Sequence, residues 1–178
     1  MIRAAAIAAW ALSGLAAGAE TAAPYAGLDG RDVATLPPER VAGLRAGAGL
    51  GYALAAELNG YPGPLHVLEH GAALDLTPQQ RAAVEAIRAR MLARARPLGE
   101  ALIAAEAALD AAFEAGGLDP ARLSALTVEA GTTEAALRAV HLEAHLETAP
   151  LLNRHQRMVY ARLRGYDEGG HGGGHGGH

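Results

Sequence analysis

The stretch Leu76-Thr77-Pro78-Gln79-Gln80 constrains this chain most, because its residues suit the start of a helix. The Thr77 hydroxyl is placed to accept from a free backbone N–H of the first turn. Pro78 falls at the first helical position, where its missing N–H is not needed. Gln80 is three residues after Thr77 and reaches back to the Thr77 amide, closing a capping box. Behind it Val84, Ile87, Met91, Leu98, Leu102, Leu109 and Phe113 recur at spacings near three, four and seven, the apolar stripe of one amphipathic helix. A second box, Leu152-Asn153-Arg154-His155-Gln156, follows late in the chain, with Asn153 as cap and Gln156 reaching back.

The remaining elements follow from turn and cap residues. Pro38 starts a short helix through Arg45, and a second short one spans Tyr52–Leu58. The turn-rich run from Asn59 to Pro64 breaks it, and Pro64 starts a helix to about Leu74. The long helix runs from Pro78 to about Ala115. Pro97 inside it removes the bond to the Ala93 carbonyl, which predicts a kink. Gly116-Gly117 ends it, and Asp119-Pro120 caps the next helix. There Leu123, Leu126, Ala130, Thr133, Leu137, Val140 and Ala144 step by three and four, the pattern of a bundle seam, to Thr148. A last helix covers Asn153 to about Arg164. The fold class is all-α: a four-helix hairpin with one long, kinked helix.

Composition narrows the function. The chain has 178 residues, is 51% hydrophobic and only 4% aromatic, so alanine supplies much of its apolar content and the helices are thin. A thin hairpin buries little area alone, which predicts a homodimer, concave on one side if Pro97 curves the long helix. A net charge of -4 argues against a nucleic-acid partner. Cysteine is absent, so thiolate ligands and thiol nucleophiles are excluded. Ser13 and Ser124 are the only serines and no nucleophile–base pair stands out, so the chain does not read as an enzyme. Arg81, Arg88, Arg90, Arg94 and Arg96 make the long helix basic, either a plain solvated face or a surface for acidic, unfolded clients.

Four regions are expected. Residues 1–19 read as a signal peptide: Arg3, the apolar run Ala4–Ala17, and Ala17-Gly18-Ala19 as the cleavage site, with cleavage after Ala19 and export to the periplasm. The alternative is a retained membrane anchor, for which the run is short and rich in alanine. Residues 20–61 read as a flexible arm with short helices, residues 62–166 as a helical-hairpin metal-binding domain, and residues 167–178 as a disordered Gly/His tail.

The histidines carry the chemistry. His141 and His145 are four apart on one helix, so both imidazoles project from one face at bidentate metal spacing. His66 and His70 repeat that spacing. The bland alternative for one such pair is a solvated surface; two pairs argue against it. If the hairpin turns near Gly117, His145 lies level with about Ala89; if the preceding helix folds back at Asp75, His66 lies level with about Glu85. The gap is four residues, about 6 Å. Glu69 and Glu143 are spare carboxylates or outer partners of the histidines. His171, His175 and His178 in the glycine tail form a second, weaker metal site or a neutral low-complexity tail. His155 reads as a surface residue of the last helix's first turn.

The two Leu-Thr/Asn-x-x-Gln boxes, the export signal, the lack of cysteine and the helical hairpin resemble one superfamily. It is the LTxxQ-motif periplasmic group, containing Spy/CpxP-type chaperones, zinc-resistance-associated proteins and periplasmic heavy-metal sensors. The resemblance spans about Pro62 to Tyr166; the box at Thr77 and Gln80 fits fully, and the box at Asn153 and Gln156 has Asn in place of Thr. It implies a four-helix hairpin that dimerises into a curved cradle. It also implies metal binding, anti-aggregation binding of unfolded proteins, or both. The sensors carry His-x-x-x-His, then a carboxylate on the long helix, then His-x-x-x-Met. This maps onto His66 and His70, Glu85, and His141 and His145, with His in place of Met. Imidazoles with one carboxylate suit Zn foremost, with Ni, Co or Cu(II) as alternatives, and the absence of Cys argues against a Cu(I) site. The functional expectation is therefore periplasmic binding of a divalent transition metal in heavy-metal resistance, sensing or homeostasis. The alternative is a chaperone of the Spy/CpxP type without a specific metal role, and a third reading is partnership with a membrane sensor protein.

Overall fold

The computed structural model describes residues 23–28 and 30–166. Among them the chain is all-helical: α1 (Pro38–Ala46), α2 (Leu54–Glu57), α3 (Pro64–Glu69), α4 (Pro78–Ala115), α5 (Pro120–Thr148) and α6 (Arg154–Leu163), with a 3-10 turn at Ala149–Leu151. None of these helices is long and apolar enough to cross a membrane.

The hairpin of α4 and α5 is the frame. Both predicted caps form at its ends. The Thr77 hydroxyl accepts from the Gln80 amide at 3.1 Å while Gln80 accepts from the Thr77 amide at 3.0 Å. The Asp119 carboxylate accepts from the Arg122 amide at 2.7 Å. Helix α4 passes through Pro97 without a break. Pro97 and Ala93 are both exposed, so water can satisfy the carbonyl that proline leaves without a partner. Ion pairs between Arg90 and Glu147, at 2.5 Å, and between Arg94 and Glu143, at 2.6 Å, fix the register of the two helices.

The short helices lie along this frame. Helix α1 crosses α4 at Gly99, where a Cβ would stand 2.4 Å from the Leu44 carbonyl oxygen. Part of the segment expected to be a flexible arm is packed instead. Val33 and Leu36 are buried with Leu44, Tyr52, Leu102 and Val140 in the main core. The Ala34 amide donates to Asp110 at 2.6 Å and the Thr35 hydroxyl to Glu106 at 2.7 Å. Two apolar residues three apart are too few to establish a helical period, so the sequence carries no amphipathic signal there. Helix α3 also ends earlier than expected, at Glu69 and not near Leu74. The chain turns through His70–Asp75, with Asp75 at φ +46° and the buried Gly71 against the Arg81 side chain.

A second core joins Val67, Leu74, Val84, Leu152 and Tyr160. Beside it the two capping boxes lock together. The Gln80 amide donates to Gln156 at 2.9 Å and to the Leu151 carbonyl at 2.7 Å. Gln156 donates back to Gln80 at 3.0 Å and to the Leu74 carbonyl at 3.1 Å. Its own oxygen also accepts from the Asn153 amide at 2.9 Å. Each glutamine therefore caps its own helix and pins the start of the other.

Candidate metal-binding cleft

Beyond the boxes, α3, α4 and α5 and the loop after α1 enclose a cleft of about 290 Å³. His66, His141 and His145 line it together with Arg88, Met91 and Leu92. The register explains this set. His145 falls midway between Glu143 and Glu147, whose partners are Arg94 and Arg90, so it lies level with about Leu92 and not Ala89. The bend is centred on the residues just past Gly117, and that shift moves the site toward the C-terminal half of α4. Glu85 is then about 10 Å further along the axis at 1.5 Å per residue, exposed and outside the cleft. His70 is half-buried at the C-terminal cap of α3 and does not line the cleft either. Glu143 is held by Arg94. His155 is exposed on α6. The tail histidines His171, His175 and His178 and residues 1–19, the segment expected to be a signal peptide, lie outside the described residues.

The three cleft imidazoles are each prepared differently. His66 Nδ1 is 2.7 Å from Glu69, whose carboxyl is held below its usual range chiefly by that bond, so the imidazole is the donor. His145 Nδ1 lies 2.8 Å from the Tyr61 carbonyl, which can only accept, so Nδ1 carries the proton there too. Both rings are thus anchored through Nδ1. Anchoring one imidazole nitrogen in this way leaves the other free for a metal. The His145 ring also presses on Gly63, where a Cβ would stand 2.7 Å from it. His141 is 3% exposed and stacks on Tyr52 at 5.9 Å between ring centroids. Burial, and secondly the neighbouring His145, lower its pKa, which keeps the ring neutral at pH 7. Its Nε2 is buried without a hydrogen-bond partner.

One residue at this site has no forewarning in the sequence. Glu57 is buried on α2, a helix of four residues that is too short to show a period. Its Oε1 accepts from Tyr160 at 2.5 Å, Arg164 at 3.2 Å and Tyr166 at 3.4 Å. Burial, and then the bond to Glu57, push the Tyr160 hydroxyl well above the usual tyrosine range, so it stays a neutral donor. The other carboxylate oxygen, Oε2, has no hydrogen-bond partner and is 3.5 Å from His145 Nδ1.

Among the described residues no three His, Asp or Glu side chains stand close enough to hold one ion as they are oriented. The donor types in the cleft still fit a borderline metal: three imidazoles, two of them anchored through Nδ1 and the third with a buried, unpartnered Nε2.

No curated protein and no solved structure matches the chain. A family model described as heavy-metal resistance matches residues 41–159, from within α1 to most of α6. That range contains both capping boxes and every residue of the histidine cleft, and it covers well over half of the chain. The chain therefore belongs to the heavy-metal resistance family, within the LTxxQ-motif periplasmic superfamily.

Proposed function

We propose that this protein binds a divalent transition metal, zinc foremost, in the periplasm, through His66, His141 and His145. The single observation that carries the reading is the buried, unpartnered His141 Nε2 in a cleft lined by two further anchored imidazoles. Leaving a buried polar atom without a partner costs on the order of 1–3 kcal/mol, a cost that a ligand relieves. The export signal at residues 1–19 supports the compartment. The reading sets His70 and Glu85 apart from the ligands, and gives Glu69 and Glu57 the role of partners that orient them. The chaperone reading has less support. Of the arginines that make α4 basic, Arg90 and Arg94 are spent in ion pairs and Arg96 on the Ala46 carbonyl.

The test is calorimetry of the protein from Glu20 onward with Zn, Ni, Co and Cu(II). Binding of zinc tighter than about 10 μM, equivalent to about -7 kcal/mol, is expected. Replacing His141 and His145 together by Ala removes it and leaves only a weak site on the Gly/His tail. Unchanged zinc binding in that variant, with loss only on deleting the tail, would overturn the reading. A homodimer is the assembly we propose, in keeping with a thin hairpin that leaves Phe113 and Val128 exposed near its tip. Light scattering that gives a monomer at every concentration rejects it.

A further inference from the structure

Beside the histidine cleft lies a second cavity of about 300 Å³, and the two share Gly49, His66 and His145 as walls. Glu57 lines this second cavity and is only 8% exposed. Its charge faces the Arg164 guanidinium, and Oε1 accepts from Arg164, Tyr160 and Tyr166. Oε2 is buried without a hydrogen-bond partner; His145 Nδ1, 3.5 Å away, is spent on the Tyr61 carbonyl. The other carboxylate nearby, Glu69, is bonded to His66 and does not line the cavity. What the cavity lacks is one N–H or O–H donor, not a charge. Tyr166, the last described residue, lines the same cavity and is followed by Asp167-Glu168-Gly169-Gly170-His171.

We propose that this cavity receives the chain's own Gly/His tail, with the His171 imidazole donating to Glu57 Oε2. His171 is five residues past Tyr166, an extended reach of about 17 Å, which is more than a cavity of this volume requires. Gly169 and Gly170 stand directly before His171, and glycine takes up the conformations that reverse a chain at little steric cost. Gly49 and Gly51 leave part of the cavity wall without side chains, and Leu50 and Leu54 give it apolar surface for a ring. A neutral imidazole carries one N–H, so it answers the orphan acceptor without adding a charge beside Arg164. The tail's two acidic side chains, Asp167 and Glu168, come before the glycines and are not carried to the Glu57 carboxylate. Tethering supplies what one bond alone would not, because a short linker holds the ring at an effective concentration in the millimolar range. The contact needs no metal and stands apart from the metal-binding reading. The tail is then a strap along the wall that the two cavities share.

The test is NMR of the isotope-labelled full chain in EDTA, with free imidazole as the probe. Replacing His171 by Ala should shift the Leu50 and Ala53 amides at the cavity and leave those of Gly116 and Gly117 at the hairpin tip unchanged. Imidazole added to His171→Ala should then return the cavity amides toward their wild-type positions. The wild type should take up imidazole about tenfold more weakly, because the tethered ring competes. Adding Glu57→Gln to His171→Ala should abolish the uptake. A melting curve checks that Glu57→Gln is folded; if it is not, the comparison of wild type with His171→Ala decides alone. Equal imidazole affinity in those two chains, or no uptake by either, overturns the proposal. Uptake that survives Glu57→Gln seats the ring elsewhere and overturns it too. So does His175→Ala reproducing the effect of His171→Ala, which would make the contact a non-specific one. An effect of His171→Ala that appears only when zinc replaces EDTA overturns it in favour of a metal-bound tail.

Discussion

Two polar clusters lie along α4, about 18 Å apart by helical rise, and they are built on opposite principles. At the Gln80–Gln156 pair every amide group is used: each side chain closes its own cap and bonds across to the other box. At the histidine cleft the reverse holds. His141 Nε2 and Arg88 Nε are buried without partners, and so is Glu57 Oε2 behind His145. Buried polar groups are normally satisfied, so a saturated cluster reads as structural and an unsaturated one as prepared for a partner outside the described residues. Under the proposed function, the chain separates what fixes the fold from what would meet the metal.

Substitutions should break the two clusters in different ways. Gln156→Ala strands the Leu74 carbonyl and the Asn153 amide and should cost about 3 kcal/mol of stability. Chemical denaturation would measure this, with zinc affinity of the remaining folded protein within about twofold. Glu57→Gln keeps the volume and removes the charge behind His145; zinc affinity should fall about tenfold, the low end for an outer-shell partner. A loss of fold without a loss of affinity would assign Glu57 to the α2–α6 contact alone. Thr77→Ala removes one hydroxyl from a box whose glutamine still bonds across, and should cost about 1 kcal/mol.

The smallest effect is one of pH. The folded His141 has a lowered pKa, from burial first and His145 second, with Tyr52 stacked on it and Arg88 lining the same cleft. Above the unfolded value both states leave it neutral. As pH falls from about 6.5 toward the folded value the unfolded chain takes the proton first, so stability drops. Urea midpoints of metal-free protein at about pH 7.5 and about pH 5.5 should show that loss, smaller in His141→Phe than in the wild type.

What the sequence disclosed follows from the range of each signal. The start of α4, the stop at Gly116 and the cap at Asp119 are local chemistry, and all appear where the residues predict them. Which imidazoles would share a cleft is only half legible, because it depends on register. A shift of about three residues in the hairpin keeps His66, His141 and His145 together and leaves Glu85 outside. Glu57 and the packing of Val33 and Leu36 were not legible, since each rests on long-range contacts made by short, aperiodic segments. The mutual lock of Gln80 and Gln156 joins two readable boxes through a contact that neither box announces.

The central claim is that the unpartnered His141 Nε2 is kept for a metal. The most direct measurement is a zinc titration of His141→Phe beside Glu85→Gln, with a melting curve of each metal-free protein. Phenylalanine keeps the stacked ring and removes the stranded nitrogen, so His141→Phe should be as stable as the wild type or more so. Its zinc affinity should nevertheless fall at least about 100-fold, some 2.7 kcal/mol, while Glu85→Gln binds zinc as the wild type does. Full zinc affinity in His141→Phe, or its loss in Glu85→Gln, would contradict the account.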